Sequence, residues 1–177
     1  SADPIGTIFI DNLYFYKAAS GPSFDDGLLT NGDLENGSDS WILGVDDSSP
    51  ATVVTTNGNT YLSGYVEAAG NVYDVNVSQK VDLAEGSSYT LTFDAWSDRN
   101  RTIVAGIGLS GPPWTNTGAP LDITPTRTTF SFTYSSIGFG ASDARVLFDI
   151  GGEIGLVNID NVSLIVGSNN ILTNGDF

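Results

Sequence analysis

The stretch "SYTLTFDAWSD", residues 88–98, decides the fold class. Tyr89, Leu91, Phe93 and Ala95 fall on one face of an extended chain. Thr90, Thr92, Asp94 and Trp96 fall on the other. A period of two is the mark of a strand with one face buried. The same alternation recurs outward from this stretch. "ARVLFDIGG", residues 144–152, sets Val146, Phe148 and Ile150 against Arg145, Leu147 and Asp149. "TTFSFTYSS", residues 128–136, sets Phe130, Phe132 and Tyr134 against Thr129, Ser131 and Thr133. "NVYDVNVSQKVDL", residues 71–83, repeats it with Val75, Val77, Val81 and Leu83. "RTIVAGIGLSG", residues 101–111, carries the glycines of a strand near a bend or a close approach. Short alternating runs parted by Gly, Asn, Asp and Pro, with no helical period, predict an all-β sandwich or barrel.

Composition narrows the chemistry. The chain has 177 residues, a net charge of −15 and six Lys and Arg. Such a surface repels phosphate, so no nucleic-acid partner is expected. It contains no Cys, His or Met, as its composition requires of any site built here: no thiol nucleophile, no disulfide, no Ser-His-Asp triad and no ordinary zinc site. Catalysis would have to rest on carboxylates, Lys or Tyr. No apolar run reaches the length of a membrane span, and no membrane insertion is expected.

Two phrases occur twice. "GTIFIDN", residues 6–12, is echoed by "GLVNIDN", residues 155–161, and "LLTNGD", residues 28–33, by "ILTNGD", residues 171–176. A repeating unit that opens on TNGD and closes on IDN accounts for both. Residues 1–20 then read as the tail strand of a preceding module, and 21–27 as a linker. Residues 28–166 read as one whole module, and 167–177 as the start of a following one. Leu28 and Leu29 are expected to make the first core contact.

Three carboxylates stand out at the unit's ends. Asp33 and Glu35 lie by the opening turn and Asp160 near the close. A sandwich that joins its first and last strands would gather them into an oxygen cage suited to Ca²⁺. The simpler alternative is an Asx-turn at Asp33 and a solvated Glu35. Among the aromatics, Trp41 reads as core. Trp96 lies opposite its strand's core face, as a ligand platform or an interface would. Trp114 sits in the Pro-braced loop "SGPPWTNTG", residues 110–118, either as a cap or as a ligand contact. Tyr73 falls where a loop enters a strand that carries Asn76 and Gln79, both able to bond hydroxyls. Asp94, Arg99 and Arg101 flank Trp96 and complete the candidate ligand set.

Together, "LLTNGDLENGSDSWI", "NVYDVNVSQKVDLAEGSSYTLTFDAWSD" and "GLVNIDNVSL" resemble carbohydrate-binding modules of the family 4, 9 and 22 type over residues 28–166. The resemblance implies a β-jelly-roll sandwich, galactose-binding-like, of two antiparallel sheets. It implies a structural calcium held by Glu35 and Asp160, with Asp33 serving the metal or the turn. It implies a glucan chain bound across the concave sheet. Tyr73 stands where the family has Trp, and Asn76 near the family's Gln; Val72 and Asn161 replace a Pro and a second Asp. "FDAWSDRNRTIVAGIGLSG", residues 93–111, is similar to modules of laminarin-binding surface proteins and laminarinases of marine Bacteroidetes. That implies β-1,3-glucan as ligand, an extracellular or outer-surface location in polysaccharide utilisation, and a monomeric module within a multimodular chain. The expectation is a non-catalytic binding module. The alternatives are a carboxylate-driven glycoside hydrolase, disfavoured by the lack of paired buried acids, and a structural or adhesin repeat without a sugar site.

Overall fold

A computed structural model describes residues 24–45 and 48–167. The strands are β1 (Trp41–Gly44), β2 (Ala51–Thr56), β3 (Asn59–Val66), β4 (Asn76–Leu83), β5 (Ser88–Ser97), β6 (Arg101–Gly108), β7 (Asn116–Ile123), β8 (Thr128–Ser135), β9 (Ala141–Asp149) and β10 (Gly155–Val166). They form two five-stranded antiparallel sheets, ordered β1-β4-β9-β6-β7 and β2-β3-β10-β5-β8. The chain is an all-β sandwich. One 3₁₀ turn, Val72–Asp74, precedes β4.

The predicted alternation sets the faces. Tyr89, Leu91, Phe93 and Ala95 of β5 are buried, as are Val146 and Phe148 of β9. Phe93 meets Phe148 edge-on, centroids 4.9 Å apart, and this contact joins the two sheets at the centre of the core. Leu147 departs from the pattern: it faces outward yet is buried. The glycines of β6 mark a close approach, since a Cβ on Gly106 would fall 2.4 Å from the Thr117 carbonyl oxygen.

The opening Leu pair behaves differently from expectation. Leu29 is buried, but Leu28 is exposed. The segment turns instead of forming a strand, because Asn31 holds it: its Nδ2 donates to the Gly37 and Asp39 carbonyls, and its Oδ1 accepts from the Asn36 amide. Asn31 takes a left-handed φ of 57°, which Asn tolerates better than most residues. Its carbonyl receives the Nε1 proton of Trp41, a core residue. The turn lies against the end of β10, where Leu28 N donates to the Leu164 carbonyl and Val162 N to that of Gly32. The opening and closing segments therefore meet. Residues 1–23 and 168–177, on which the expected flanking modules and the first three residues of the expected linker fall, lie outside the described residues.

Candidate functional site

A cleft of about 450 Å³ opens on the outer face of the β1-β4-β9-β6-β7 sheet. Tyr73, Asn76, Trp114, Asn116, Arg145 and Asp149 line it. Strand register puts them there. Asp149 pairs with Asn76 on β4, and Arg145 with Gly108 on β6, which in turn pairs with Asn116 on β7. Four residues along β9 separate Arg145 from Asp149, a span of about 13 Å.

The two aromatics stand at the cleft's edge with their rings in water: Tyr73 is 64% exposed and Trp114 51%. Tyr73 is carried by the 3₁₀ turn, where Asp74 accepts from the Asn71 amide. Trp114 is held at a left-handed φ of 62°; its amide donates to the Gly111 carbonyl, and its carbonyl accepts from Asn116 Nδ2. The Arg145 guanidinium lies 5.5 Å from the Trp114 ring centroid, a cation–π contact.

Between the aromatics runs a polar relay. Arg145 Nη1 donates to Asn76 Oδ1 (3.2 Å), and Asn76 Nδ2 donates to Asp149 Oδ1 (2.5 Å). Burial pushes the Asp149 carboxyl above the ordinary Asp value, against the bond from Asn76 and the charge of Arg145. The cleft thus offers carboxylate, amide and guanidinium groups in sequence beside two stacking surfaces. That set can accept from and donate to adjacent hydroxyls of a flat, hydroxylated ring.

The expected ligand residues divide. Tyr73, Asn76 and Trp114 share this cleft. Trp96 and Asp94 lie on the opposite side of the sandwich, on the outer face of the other sheet. There Trp96 contacts Tyr61 (centroids 4.9 Å apart) and lies under the Arg127 guanidinium, 4.8 Å from its centroid. Asp94 accepts from Arg127, Thr129 and Asn161; burial opposes them, yet these bonds hold its carboxyl below the ordinary value. Both residues belong to a charge cluster away from the cleft. Arg99 is exposed and paired with Asp98. Arg101 is 3% exposed, with Nη1 on the Gly155 carbonyl and Nη2 on that of Ile150. Gln79 is buried and clasps Thr30 through both its amide and its carbonyl. Neither Arg101 nor Gln79 is open to a ligand, because both side chains are buried and tied to backbone partners. Arg145, Asp149 and Asn116 are the cleft residues that sequence reasoning passed over. The signal was present: the alternation in "ARVLFDIGG" sets Arg145 and Asp149 opposite the core.

The acidic trio also divides. Glu35 accepts from the amide (3.2 Å) and hydroxyl (3.4 Å) of Thr60, and Asp160 Oδ2 accepts from Asn59 Nδ2 (3.0 Å). Opening and closing carboxylates thus converge on adjacent residues at the start of β3. Asp33 does not join them; its Oδ1 caps the Glu35 amide at 3.4 Å in an exposed turn. No group of three acidic side chains converges among the described residues. Asp160, 1% exposed, is also bound by Arg127 at 2.7 Å. Burial still leaves its carboxyl above the ordinary value despite Asn59, the Asn161 amide and Arg127. Glu35 and Asp160 thus approach the same end of the hairpin while Asp33 stands apart, and Asp160 spends both oxygens on Asn59, Arg127 and the Asn161 amide.

Residues 26–152 match the model of a family described as a carbohydrate binding domain. The chain belongs to this family. The module is 27% identical over 110 residues to a cellulose 1,4-β-cellobiosidase of Acetivibrio thermocellus, an alignment that takes in 56% of the chain but 12% of that protein. In fold it is similar to a family 4 carbohydrate-binding module, with a TM-score of 0.61 and 24% identity over 82% of this chain and 97% of that one. It is also similar to the N-terminal cellulose-binding domain of Cellulomonas fimi β-1,4-glucanase C, with a TM-score of 0.58 and 22% identity over 81% and 97%.

Proposed function

We propose that the module holds a single neutral β-glucan chain, β-1,3-glucan (laminarin) foremost, in the cleft between Tyr73 and Trp114. The observation that carries this reading is the pairing of two exposed rings with the Asp149–Asn76–Arg145 relay in one cleft. Sugar rings stack their C–H faces on Tyr73 and Trp114, and their hydroxyls complete the relay. The net charge of −15 and the carboxylate of Asp149 favour an uncharged chain. The β-1,3 linkage rests on the likeness of residues 93–111 to laminarin-binding modules.

The module binds and does not cleave. Glycoside hydrolysis uses two carboxyl groups across the scissile bond. Among the described residues, Asp149 is the one carboxylate lining the cleft, and its neighbours there are an amide and a guanidinium. The short coverage of the cellobiosidase fits a module in a longer, extracellular, multimodular protein. There weak sites in series on one polymer gain about 10²–10⁴ in apparent affinity. A structural calcium held by Glu35 and Asp160, which bond to the adjacent residues Thr60 and Asn59, would staple the module's opening to its closing strand.

Affinity electrophoresis over laminarin, mixed-linkage glucan, cellulose oligosaccharides and xylan tests the reading. Laminarin is expected to retard the protein, and Trp114→Ala to relieve the retardation. Unchanged mobility in all four would leave a structural or adhesin repeat as the better account. Reducing sugar released from laminarin would revive the hydrolase.

A further inference from the structure

Arg101 is a buried cation with no ion-pair partner among the described residues. Among the described residues its hydrogen bonds go to backbone carbonyls outside the cleft, yet they underlie one wall. Nη1 holds the Gly155 carbonyl (2.8 Å) and Nη2 the Ile150 carbonyl (2.5 Å), the two ends of the β9–β10 loop. That loop is in turn sewn to the turn carrying Tyr73. Ile150 N donates to the Val75 carbonyl, Gly151 N to that of Val72, and Gly70 N to that of Gly151, all at 2.8–3.0 Å. The fit is close: a Cβ on Gly151 would lie 2.8 Å from both Asn71 O and Val75 N. Among the described residues, the Trp114 loop makes no bond to this assembly.

We infer that Arg101 is a positioning residue of the cleft, fixing Tyr73 through the β9–β10 loop. This rests on the reading of the cleft as a sugar site. A guanidinium suits the task because its planar fork can span two carbonyls at once. A carboxylate partner would have claimed the fork and freed the loop. Lysine, a single point charge, would leave one carbonyl unheld. The 3₁₀ turn by itself gives Tyr73 little support, since none of its three residues is buried.

The test is a double-mutant cycle in the whole protein, read as affinity for a soluble laminarin oligosaccharide by calorimetry. Arg101→Lys is expected to weaken binding by about threefold or more in the wild-type and Trp114→Ala backgrounds, and to change nothing in Tyr73→Ala; pairs that share one network couple by this much. Equal weakening in all three backgrounds, or none, overturns the inference. Gly151→Ala, which displaces the same loop while keeping Arg101, is expected to copy this pattern. Amide hydrogen exchange gives a reading without sugar: Arg101→Lys should speed exchange at Asp74, Gly70 and Gly151 and leave Trp114 unchanged. Faster exchange there without any glucan binding would sink the sugar reading alone. Uniform exchange across both loops would sink Arg101's positioning role.

Discussion

Asn76 and Asp149 face each other across the β4–β9 ladder, and the amide of one donates to the carboxylate of the other at 2.5 Å. The pair sits at the centre of the cleft, so its energetics bear on both stability and binding.

Asp149→Asn separates the two. The Asp149 carboxyl is raised by burial, so its charged form is less favourable folded than unfolded. Its contribution to stability is therefore best below its unfolded value and declines as pH rises through the raised one. At neutral pH the charge is a standing cost. Asp149→Asn is expected to raise the melting temperature at pH 7 and to remove the part of its decline that begins as pH rises above the ordinary Asp range. Glucan affinity should drop roughly tenfold, the worth of one hydrogen bond to a charged group. Paired thermal melts and calorimetry check both; a gain in affinity would remove Asp149 from the site.

Trp114→Ala and Trp96→Ala should have opposite effects. Trp114 is half exposed, so its loss should weaken binding by about tenfold, the worth of one stacked ring, and shift the melting temperature little. Trp96 contacts Tyr61 and Arg127 on the far face, and losing it should destabilise by about 1–2 kcal/mol while leaving affinity intact. Urea unfolding with glucan titration of both variants distinguishes them.

Arg127→Met removes the cation between Asp94 and Asp160. Asp160 is then left buried without its countercharge, a loss of about 3–5 kcal/mol. Adding Asp160→Asn should recover part of it. Urea midpoints of the single and double variants provide the measure, and additive effects would show that the two groups are independent.

Calcium, if held by Glu35 and Asp160, stabilises by mass action. Chelator is expected to lower the melting temperature of the wild type and of Asp33→Asn, but not of Glu35→Gln. A wild-type midpoint indifferent to chelator removes the ion.

The sandwich was legible because the core is written in alternation: "SYTLTFDAWSD" assigned Tyr89 through Trp96 of β5 to their observed faces. The site was less legible, because alternation says which face a residue takes but not which sheet the strand joins. Alternation set Trp96 opposite the core on β5, and Trp114 follows β6 in a loop; β5 and β6 lie in different sheets, so the two rings ended on opposite sides of the sandwich. Arg101 misled for a related reason. A cation beside an aromatic suggested a ligand contact, but the β9–β10 loop folds over it, and only tertiary packing could reveal that. Asp160 was placed at the closing strand correctly. Its Arg127 partner comes from the turn just before β8, thirty-three residues away, with no local signal linking them.

The three tryptophans occupy three separate environments: Trp41 in the core, Trp96 beneath a guanidinium, and Trp114 at the open cleft. The protein therefore carries its own optical labels. Acrylamide should quench Trp114 first, and an occupied cleft should shield it. Trp41, bonded to the Asn31 carbonyl, should shift to red emission when the core opens. A single fluorescence spectrum can then follow occupancy and unfolding as separate signals, with no dye attached.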